Sequence, residues 1–174
     1  DLAQILSSKN ARLIKNYKNE IVDKYGFSKV TSIIAGGKER YDSVYAGLLV
    51  CGDCDYVFIH DGARPLITVD EIQRVVEAAF DTGAATLGTS VTDTIKIVDG
   101  FNKIESTPLR SQLRAVQTPQ VFEKDLYKFA LDNAGDDVAN FTDDCSLIEK
   151  MGGEVEVVKG SRENIKLTTP IDVI

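Results

Sequence analysis

The segment 56–68, YVFIHDGARPLIT, runs an apolar, β-prone stretch directly into a carboxylate, a glycine, a guanidinium and a proline. A turn at this point uses Gly62 and Pro65, because glycine and proline favour turn geometry, but it does not need Asp61 or Arg64. A carboxylate is a ligand for Mg²⁺, and a guanidinium neutralises phosphate oxygens. The residue types therefore suggest metal-assisted chemistry on a phosphate group.

The elements that must position these residues follow an alternating order. Short β-branched or apolar runs predict strands at 29–35, 56–60 and 84–91. Apolar residues at helical spacing predict helices at 40–49 and 68–83 between them, the second capped by Thr68 or Asp70 and closed by Gly83. This order predicts an α/β fold with a mostly parallel sheet and right-handed crossovers.

The remaining sequence completes one predicted domain, 1–174. Residues 92–120 lack a helical stretch and contain an Asp-Gly turn, so they predict a β-hairpin arm on the main sheet. The other predicted elements are a helix from residue 2 to about 24, helices at 123–133 and 142–152, a strand at 154–160 and a final helix with Pro170 in its first turn. Thr142 is the predicted N-cap of the helix at 142–152.

Ligands of parallel α/β sheets bind beyond the carboxyl ends of the strands. Glycines, hydroxyls, a carboxylate and cations stand at the predicted ends: Gly36, Gly37, Arg40 and Ser43, then Asp61, Gly62 and Arg64, then Thr94, then Arg162 and Lys166. These residues also have structural interpretations: the glycine pair fits a turn, Asp61 fits a helix or turn cap, and Lys166 fits a solvated surface position. His60, the residue before Asp61, fits the end of a strand. Their shared placement favours a metal-assisted phosphate site. A Walker loop, a GxGxxG motif and a nucleophile elbow are absent from these residues.

Composition narrows the class of protein further. The 174 residues are 43% hydrophobic and 27% charged, which is typical of a globular domain. The net charge of -7 argues against binding nucleic acid through bulk charge. No apolar run approaches the roughly 20 residues of a membrane helix, and no signal peptide is visible. We therefore expect a cytoplasmic protein with no membrane or nucleic-acid partner.

Three cysteines are present, and Cys51 and Cys54 have the spacing of a metal or redox motif. The sequence offers only Cys145 and one histidine as further ligands of these types, whereas a structural zinc site has four ligands. We interpret the pair as chance spacing in a helix-to-strand loop of a protein from a reducing compartment. The role of Cys51 and Cys54 is otherwise left open.

Six blocks together resemble the 2-C-methyl-D-erythritol 4-phosphate cytidylyltransferases of the non-mevalonate isoprenoid pathway. They are GGKERYDSVYAGL, VFIHDGARPLI, DTIK, AVQTPQVF, TDDCSLIE and GSRENIKLTTPIDV, from about residue 32 to the end. The resemblance implies a Rossmann-like nucleotidyltransferase fold with a protruding β-arm. It also implies attack of a methylerythritol phosphate oxygen on the α-phosphorus of CTP, with Mg²⁺ as cofactor and pyrophosphate as leaving group.

The resemblance also implies roles for individual residues. Asp61 would coordinate the Mg²⁺ that bridges the triphosphate, and Lys166 would bridge the attacking phosphate and the α-phosphate. Arg64 would hold the sugar-alcohol phosphate, and both cations are candidate catalytic residues. The candidate nucleotide-binding residues are Gly36, Gly37, Ser43, Asp61, Gly62 and Ala63, with Gly37 and Ser43 on the cytosine.

The remaining candidate substrate-binding residues are Thr118 and Thr142, which would line the sugar-phosphate pocket, and Thr94 and Arg110 on the arm. In the family the arm crosses to a partner subunit. The resemblance therefore implies a homodimer in which Thr94 and Arg110 complete the neighbouring active site.

The sequence departs from the family pattern in two places. Lys38 follows the glycine pair where an acidic residue is common, so it is not a candidate site residue. The family also has an N-terminal strand and glycine-rich loop and a C-terminal helix, and we expect these to be missing from this sequence. Two alternatives stay open at this point: a ribitol-5-phosphate cytidylyltransferase, or a non-catalytic domain that binds nucleotide or only dimerises.

Overall fold

The computed structural model describes residues 2–6, 14, 16–135 and 141–173, with the backbone alone for residues 2–6. The chain divides into two compact units, Asp1–Val57 with Glu123–Gly153, and Phe58–Phe122 with Glu154–Ile174. Strands and helices alternate, and the predicted α/β class is confirmed. That the chain forms a single domain stays a prediction. Within the described residues no helix is long and apolar enough to cross a membrane.

The strands are β1 Leu2–Leu6, β2 Val30–Ala35, β3 Tyr56–Ile59, β4 Ala84–Ser90, β5 Ile97–Val98, β6 Ile104–Ser106, β7 Arg114–Glu123 and β8 Glu156–Lys159. The α-helices are α1 Arg40–Val50, α2 Val69–Thr82, α3 Lys124–Asp132 and α4 Cys145–Lys150. A π-helical turn at Lys18–Asp23 and short 3₁₀ turns at Arg110–Gln112 and Pro170–Val173 complete the described elements.

In the first unit β1 and β2 pair in parallel, with Leu6 opposite Ala35. The helix predicted from residue 2 is therefore wrong over β1. Ladder hydrogen bonds to β2 outweigh the helix propensity of the Leu, Ala and Gln residues in this segment. Among the described residues of this region, residues 14, 16 and 17 are helical and Lys18–Asp23 form a π-helical turn. Residues 7–13 and 15 of the predicted helix lie outside the described residues.

The helices predicted at 40–49, 123–133 and 142–152 are confirmed as α1, α3 and α4, with shifted ends. Thr142 is not the N-cap of α4, because the helix begins at Cys145 and Asp144 occupies the cap position. Asp143 supplies the capping interaction, since its Oδ1 accepts hydrogen bonds from the Ser146 amide at 3.2 Å and the Ser146 hydroxyl at 2.6 Å. The buried core of this unit includes Tyr127, Ala130, Leu147 and Ile148.

A four-stranded mixed sheet has the strand order β3-β7-β4-β8. Strand β4 pairs in parallel with β8 and antiparallel with β7, where Ala84 lies opposite Phe122. Residues 114–120, predicted to belong to the arm, are therefore part of the central sheet. Pro119 interrupts the ladder of this strand, because proline cannot donate a backbone hydrogen bond. The β4–β7 register shifts between Thr86 and Gly88, and this irregularity accommodates the proline.

Helix α2 packs on β4 and β8 of the same unit. Thr68 caps it as predicted: its hydroxyl accepts from the Glu71 amide, and a Glu71 carboxylate oxygen accepts from the Thr68 amide. Gly83 ends the helix with φ of 81°, a left-handed conformation that favours glycine. The apolar face of α2 buries Val75 and Ala79 completely.

The part of the predicted arm before β7 forms a short hairpin of β5 and β6. Asp99 closes its turn, since Oδ1 accepts from the amides of Phe101 at 2.9 Å and Lys103 at 2.8 Å. The hairpin exposes its large apolar residues, and Phe101 is 85% exposed. The segment thus places apolar side chains where this chain alone does not cover them.

Candidate active site

The candidate site of the second unit begins where β3 ends. Asp61, Gly62, Ala63 and Arg64 form a turn in which the Arg64 amide donates to the Asp61 carbonyl at 2.9 Å. Asp61 and Arg64 are only partly exposed, with 21% and 12% of their side-chain surfaces accessible. The 61–64 loop therefore holds a carboxylate and a guanidinium side by side at a strand end, as the sequence predicted.

Two cations surround the Asp61 carboxylate. Lys166 Nζ lies 3.0 Å from Asp61 Oδ2, and Arg64 Nε lies 3.5 Å from the same oxygen. The longer distance makes the Arg64 contact an ion pair without a well-formed hydrogen bond at Nε. Lys166 is 47% exposed, so solvent screens its pairing more than that of Arg64. One carboxylate between two cations can exchange its partners for a metal ion and phosphate oxygens.

A network of hydrogen bonds fixes the loop of residues 161–167, which carries Lys166. The Asn164 carbonyl accepts from Arg64 Nη1 at 2.6 Å and from Gln117 Nε2 at 3.1 Å. The Leu167 amide donates to the Ala63 carbonyl at 2.8 Å. Both loops are therefore tied to each other directly. The sequence reasoning did not identify Asn164 or Gln117, and no type or spacing signal distinguished them.

A further anchor of the 161–167 loop is Glu71, an acidic residue in the first turn of α2. Its Oε1 accepts from the Ser161 amide at 2.8 Å, while Oε2 accepts from the Thr68 amide and hydroxyl. Glu71 is buried, and each carboxylate oxygen has a hydrogen-bond donor. It acts as a brace for the loop that carries Lys166.

Thr118 and His60 lie beside the 61–64 loop. Thr118 Oγ1 lies 3.0 Å from the Asp61 amide nitrogen and 3.0 Å from His60 Nδ1, and His60 Nε2 lies 3.0 Å from the Arg64 carbonyl oxygen. Burial lowers the pKa of His60 below its ordinary value, with smaller opposing effects from the Arg64 carbonyl and Asp61. The neutral ring is therefore favoured at neutral pH.

The donor set fits Mg²⁺ held jointly with phosphates. Within the described residues no three His, Cys, Asp or Glu side chains cluster as a protein-made metal cage. Asp61 offers hard carboxylate oxygens, and Mg²⁺ is commonly bound by one or two carboxylates plus substrate phosphates. Asp61 is therefore the residue of this loop that could hold the ion.

Gly36, Gly37 and Ser43 lie in the first unit, after β2 and in α1. The Gly37 amide donates to Ser43 Oγ at 2.9 Å, and Ser43 Oγ is 3.3 Å from the Glu39 carbonyl. A Cβ on Gly37 would lie 2.0 Å from Asp42 Cβ, so only glycine fits there without rearrangement. The structure thus joins Gly37 and Ser43, the two residues predicted to meet the cytosine.

Thr142 is exposed in the first unit, immediately before two acidic residues. The second of these, Asp144, is buried, and it accepts from the Tyr127 hydroxyl at 2.6 Å and pairs with Arg40 Nη2 at 2.5 Å. Burial, followed by the nearby Asp144 charge, raises the pKa of the Tyr127 hydroxyl well above its usual range. This cluster anchors the segment that presents Thr142.

On the arm the structure brings Thr94 and Arg110 together. Arg110 Nη2 donates to Thr94 Oγ1 at 3.0 Å, and both residues are exposed. In the part of the chain that the structure describes, no carboxylate lies within ion-pair distance of Arg110. The pair forms a small cationic and hydroxyl patch.

Two other features lie apart from these residues. Cys51 and Cys54 are free thiols, and burial, followed by the Cys54 thiol, raises the pKa of Cys51, which disfavours the reactive thiolate. A cavity of about 790 Å³ in the first unit is lined by residues including Ile14, Val22 and Ile33. None of the predicted site residues lines this cavity. The candidate site is therefore identified by its charged residues at the end of β3 and is separate from this cavity.

Comparisons with a family model and with individual relatives identify the same protein family. The family model for IspD, 2-C-methyl-D-erythritol 4-phosphate cytidylyltransferase, matches residues 8–174. The chain is similar to the enzyme of that name from Alkaliphilus oremlandii, with 46% identity over 158 residues, covering 90% of this chain and 67% of the relative. The namesake from Halalkalibacterium halodurans is 48% identical over 155 residues, covering 89% of this chain and 68% of the relative.

Solved structures agree with the sequence comparison. The 4-diphosphocytidyl-2C-methyl-D-erythritol synthase of Anaerococcus prevotii superposes with a TM-score of 0.86 at 28% identity, covering 99% of this chain and 75% of the other. The 2-C-methyl-D-erythritol 4-phosphate cytidylyltransferase of Thermus thermophilus gives a TM-score of 0.73 at 32% identity, and the match covers 83% of this chain and 70% of the other. The match includes the fold that carries the 61–64 loop.

Proposed function

Because the chain belongs to the 2-C-methyl-D-erythritol 4-phosphate cytidylyltransferase family, we propose that it transfers a cytidylyl group from CTP to 2-C-methyl-D-erythritol 4-phosphate in isoprenoid precursor biosynthesis. A phosphate oxygen of the acceptor forms a bond to the α-phosphorus of CTP. The bond from that phosphorus to the β-phosphate bridge breaks, and pyrophosphate leaves with the electron pair. The observation that carries this proposal is the Asp61, Arg64 and Lys166 cluster at one strand end.

The reaction places negative charge on the groups that the proposed site is equipped to neutralise. Mg²⁺ held by Asp61 would screen the triphosphate and the departing pyrophosphate. Lys166 would contact the attacking phosphate and the α-phosphate, and Arg64 would orient the acceptor with the N–H groups that Asn164 does not occupy. Such displacement depends mainly on positioning and charge stabilisation, so no covalent enzyme intermediate is required.

The nucleotide-binding assignment concerns two glycine-containing segments. Gly36, which is buried, and the half-buried Gly37 would form the turn that meets the nucleotide, with Ser43 holding Gly37 in place. Gly62 and Ala63 would allow close approach, since the space around a Cβ on Gly62 is open to 4 Å. Thr118 and Thr142 would belong to the sugar-phosphate side, Thr118 from its place beside the 61–64 loop.

We further propose a cytoplasmic homodimer in which the arm of one chain reaches the site of the other. The exposed hairpin residues Ile97, Val98, Phe101 and Ile104 supply apolar surface for a partner arm. Thr94 and Arg110 would then add a hydroxyl and a cation to the partner's acceptor site. A closed two-fold arrangement would cover both arms at once.

Release of pyrophosphate from CTP tests the proposed function. The full-length protein with Mg²⁺ and 2-C-methyl-D-erythritol 4-phosphate should release pyrophosphate, and omission of either substrate or of the metal should abolish release. Ribitol 5-phosphate serves as the competing acceptor. The relatives described above carry the methylerythritol phosphate name, so this alternative is not favoured. Activity with ribitol 5-phosphate alone would overturn the acceptor assignment.

A further inference from the structure

We propose that Glu71 is a positioning residue for cytidylyl transfer: its carboxylate sets Lys166 against Asp61 by joining the start of α2 to the 161–167 loop. This inference rests on the proposed function of the site and adds to it a residue that touches neither substrate nor metal. It follows from the partners of the two carboxylate oxygens, from the burial of the carboxylate and from a second contact made by α2.

The two oxygens of the Glu71 carboxylate bind different segments of the chain. Oε2 accepts from the Thr68 hydroxyl at 2.8 Å and from the Thr68 amide at 3.1 Å, and these bonds belong to the cap of α2. Oε1 accepts from the Ser161 amide at 2.8 Å, across 90 residues of sequence. A capping box needs only the first set of bonds. The contact with Ser161 is therefore additional to the helix cap.

The segments that Glu71 joins adjoin the charged residues of the candidate site. Thr68 is the fourth residue after Arg64, and Ser161 is the fifth residue before Lys166. Each intervening residue adds only two soft backbone dihedrals, so a displacement of Ser161 is passed on to Lys166. The carboxylate thus links the chain that leaves the 61–64 loop to the chain that leads to Lys166.

The 161–167 loop is held at both of its ends. The Glu71 carboxylate binds the Ser161 amide at the first end, and the Leu167 amide donates to the Ala63 carbonyl at 2.8 Å at the other end. Lys166 lies next to the second anchor. Release of the first anchor would leave the loop free to pivot about the second, which changes the direction of the Lys166 side chain.

The Glu71 carboxylate is buried without a cationic partner. Its residue is 2% exposed, and among the described residues no lysine, arginine or histidine lies within ion-pair distance of it. A buried carboxylate is costly unless hydrogen bonds satisfy its oxygens. Loss of the Ser161 donor would leave Oε1 buried without a hydrogen bond. The carboxylate therefore favours the arrangement in which the loop and α2 are joined.

Arg74 holds the same junction from the next turn of α2. Its Nη1 donates to the Lys159 carbonyl, two residues before Ser161. Gly160 lies between these two anchored residues, and a Cβ on it would lie 2.3 Å from Gln117 Oε1. The junction between β8 and the loop is thus confined between side chains of α2 and Gln117 of β7. Such confinement makes the start of the loop a fixed point from which Lys166 is directed.

Replacement of one carboxylate oxygen tests the role. In Glu71→Gln the amide oxygen can keep the two Thr68 donors, which leaves the NH₂ group facing the Ser161 amide, donor against donor. We expect kcat to fall about 10-fold with KM for both substrates within about threefold, because a misplaced cation lowers turnover more than binding. Wild-type kcat in this variant would overturn the proposal.

Thr68→Ala is the matched control, because it damages the helix cap and keeps the link to Ser161. The variant removes one donor to Oε2, whereas the Thr68 and Ser161 amides keep their bonds to Glu71. The melting temperature should fall by about 2–6 °C, and kcat per folded molecule should stay near wild type. Equal losses of kcat in Thr68→Ala and Glu71→Gln would assign the effect to a damaged helix end, and the positioning role would be rejected.

A double-mutant cycle shows whether Glu71 acts through Lys166. Lys166→Met already removes the cation, so Glu71→Gln added to it should lower kcat no further than Lys166→Met alone. Losses that multiply would mean that Glu71 affects the reaction by another route, and the assignment to Lys166 would be abandoned.

Hydrogen exchange tests the link without reference to catalysis. The Ser161 amide should exchange slowly in the wild-type protein and at least about tenfold faster in Glu71→Gln, while the Val75 amide inside α2 keeps its protection. A Ser161 amide that exchanges at the unprotected rate in the wild-type protein would overturn the link even if cytidylyl transfer is confirmed. If the wild-type protein transfers no cytidylyl group but shows the expected exchange, the proposed function fails and the link between α2 and the loop stands.

Discussion

Asp61 Oδ2 lies 3.0 Å from Lys166 Nζ, so the proposed metal ligand and the proposed phosphate-binding cation neutralise each other's charge. A divalent ion would compete with Lys166 for this oxygen, and phosphate oxygens would receive the released ammonium group. The pair is therefore a pre-assembled site whose two halves separate when a metal–triphosphate complex enters between them.

The first prediction concerns the carboxylate. Asp61→Asn should lower the cytidylyl transfer rate by about 100-fold or more, because the amide cannot offer Mg²⁺ an anionic oxygen. The free energy of unfolding should change by less than about 1 kcal/mol, since the ion pair to Lys166 is partly exposed to solvent. Pyrophosphate release and thermal melting of the same preparation check both values.

Asp70→Asn is the control for this substitution. Asp70 is an exposed carboxylate paired with Arg74 at 2.9 Å, so the variant removes a similar charge from the surface of α2. It should retain wild-type turnover. A large fall in the melting temperature of Asp61→Asn, with activity following the folded fraction, would show that Asp61 has a structural role only.

The second prediction separates the two functions of Lys166. Lys166→Met should lower kcat by about 100-fold while Mn²⁺, used as a probe for Mg²⁺, binds the nucleotide-free enzyme several-fold more tightly. Turnover falls because a cation that stabilises the transition state is lost. Metal affinity rises because a competing positive charge leaves Asp61. Titration with Mn²⁺ followed by electron paramagnetic resonance measures the affinity.

An exposed lysine on β8 supplies the comparison. Lys159→Met removes the same charge from the same unit, and neither effect is expected there. Unchanged Mn²⁺ affinity in Lys166→Met would contradict direct competition for the Asp61 oxygen.

These residues illustrate what the sequence could predict. Asp61, Arg64 and Lys166 were identified because charged residues directly after predicted strands are informative even when their partners are unknown. The residues that fix them, Thr118 through its hydroxyl and Asn164 through its carbonyl, act by contacts between distant segments. Residue type and spacing do not reveal which distant segments come into contact.

The errors in the fold have related physical causes. Strand β1 resembled a helix because its Leu, Ala and Gln residues are good helix formers and its partner β2 is remote in sequence. Residues 114–120 of strand β7 were assigned to the arm because the whole segment 92–120 lacks a helical stretch and follows the hairpin signal of an Asp-Gly turn. In the structure Gln117, Thr118 and Gln120 are buried there, and each makes side-chain hydrogen bonds.

The third prediction concerns base recognition. CTP should be strongly preferred over ATP, and Ser43→Ala should reduce the CTP-to-ATP ratio of kcat/KM by about tenfold, because a site with buried polar groups discriminates through their pairing. The substitution removes the acceptor of the Gly37 amide and releases the glycine loop. The KM for 2-C-methyl-D-erythritol 4-phosphate should stay near wild type and serves as the internal control. Comparable wild-type rates with ATP would remove Gly37 and Ser43 from the cytosine site.

The fourth prediction concerns the arm. Arg110→Ala and Lys166→Ala proteins should each be nearly inactive and should regain activity when mixed after dissociation. A mixed dimer contains one site in which an intact arm meets an intact Lys166. Random equimolar mixing makes half of the dimers mixed, each with one intact site of two, so the rate should reach about a quarter of wild type. Activity is measured by pyrophosphate release, and subunit exchange is verified by native mass spectrometry.

The control exploits the contact between Arg110 and Thr94 on the same arm. When Arg110→Ala is mixed with Thr94→Val, every site in a mixed dimer receives one damaged arm, so the rate should not exceed the average of the two parents. The exposed apolar residues of the hairpin make a monomer unfavourable, because water would cover Phe101 and Ile104.

A monomer in light scattering, or no gain in verified Arg110→Ala and Lys166→Ala dimers, would show that each chain builds its site alone. Recovery only in the Arg110 and Lys166 mixture would place Arg110 beside the acceptor of the partner subunit, where a phosphate group would pair with the guanidinium.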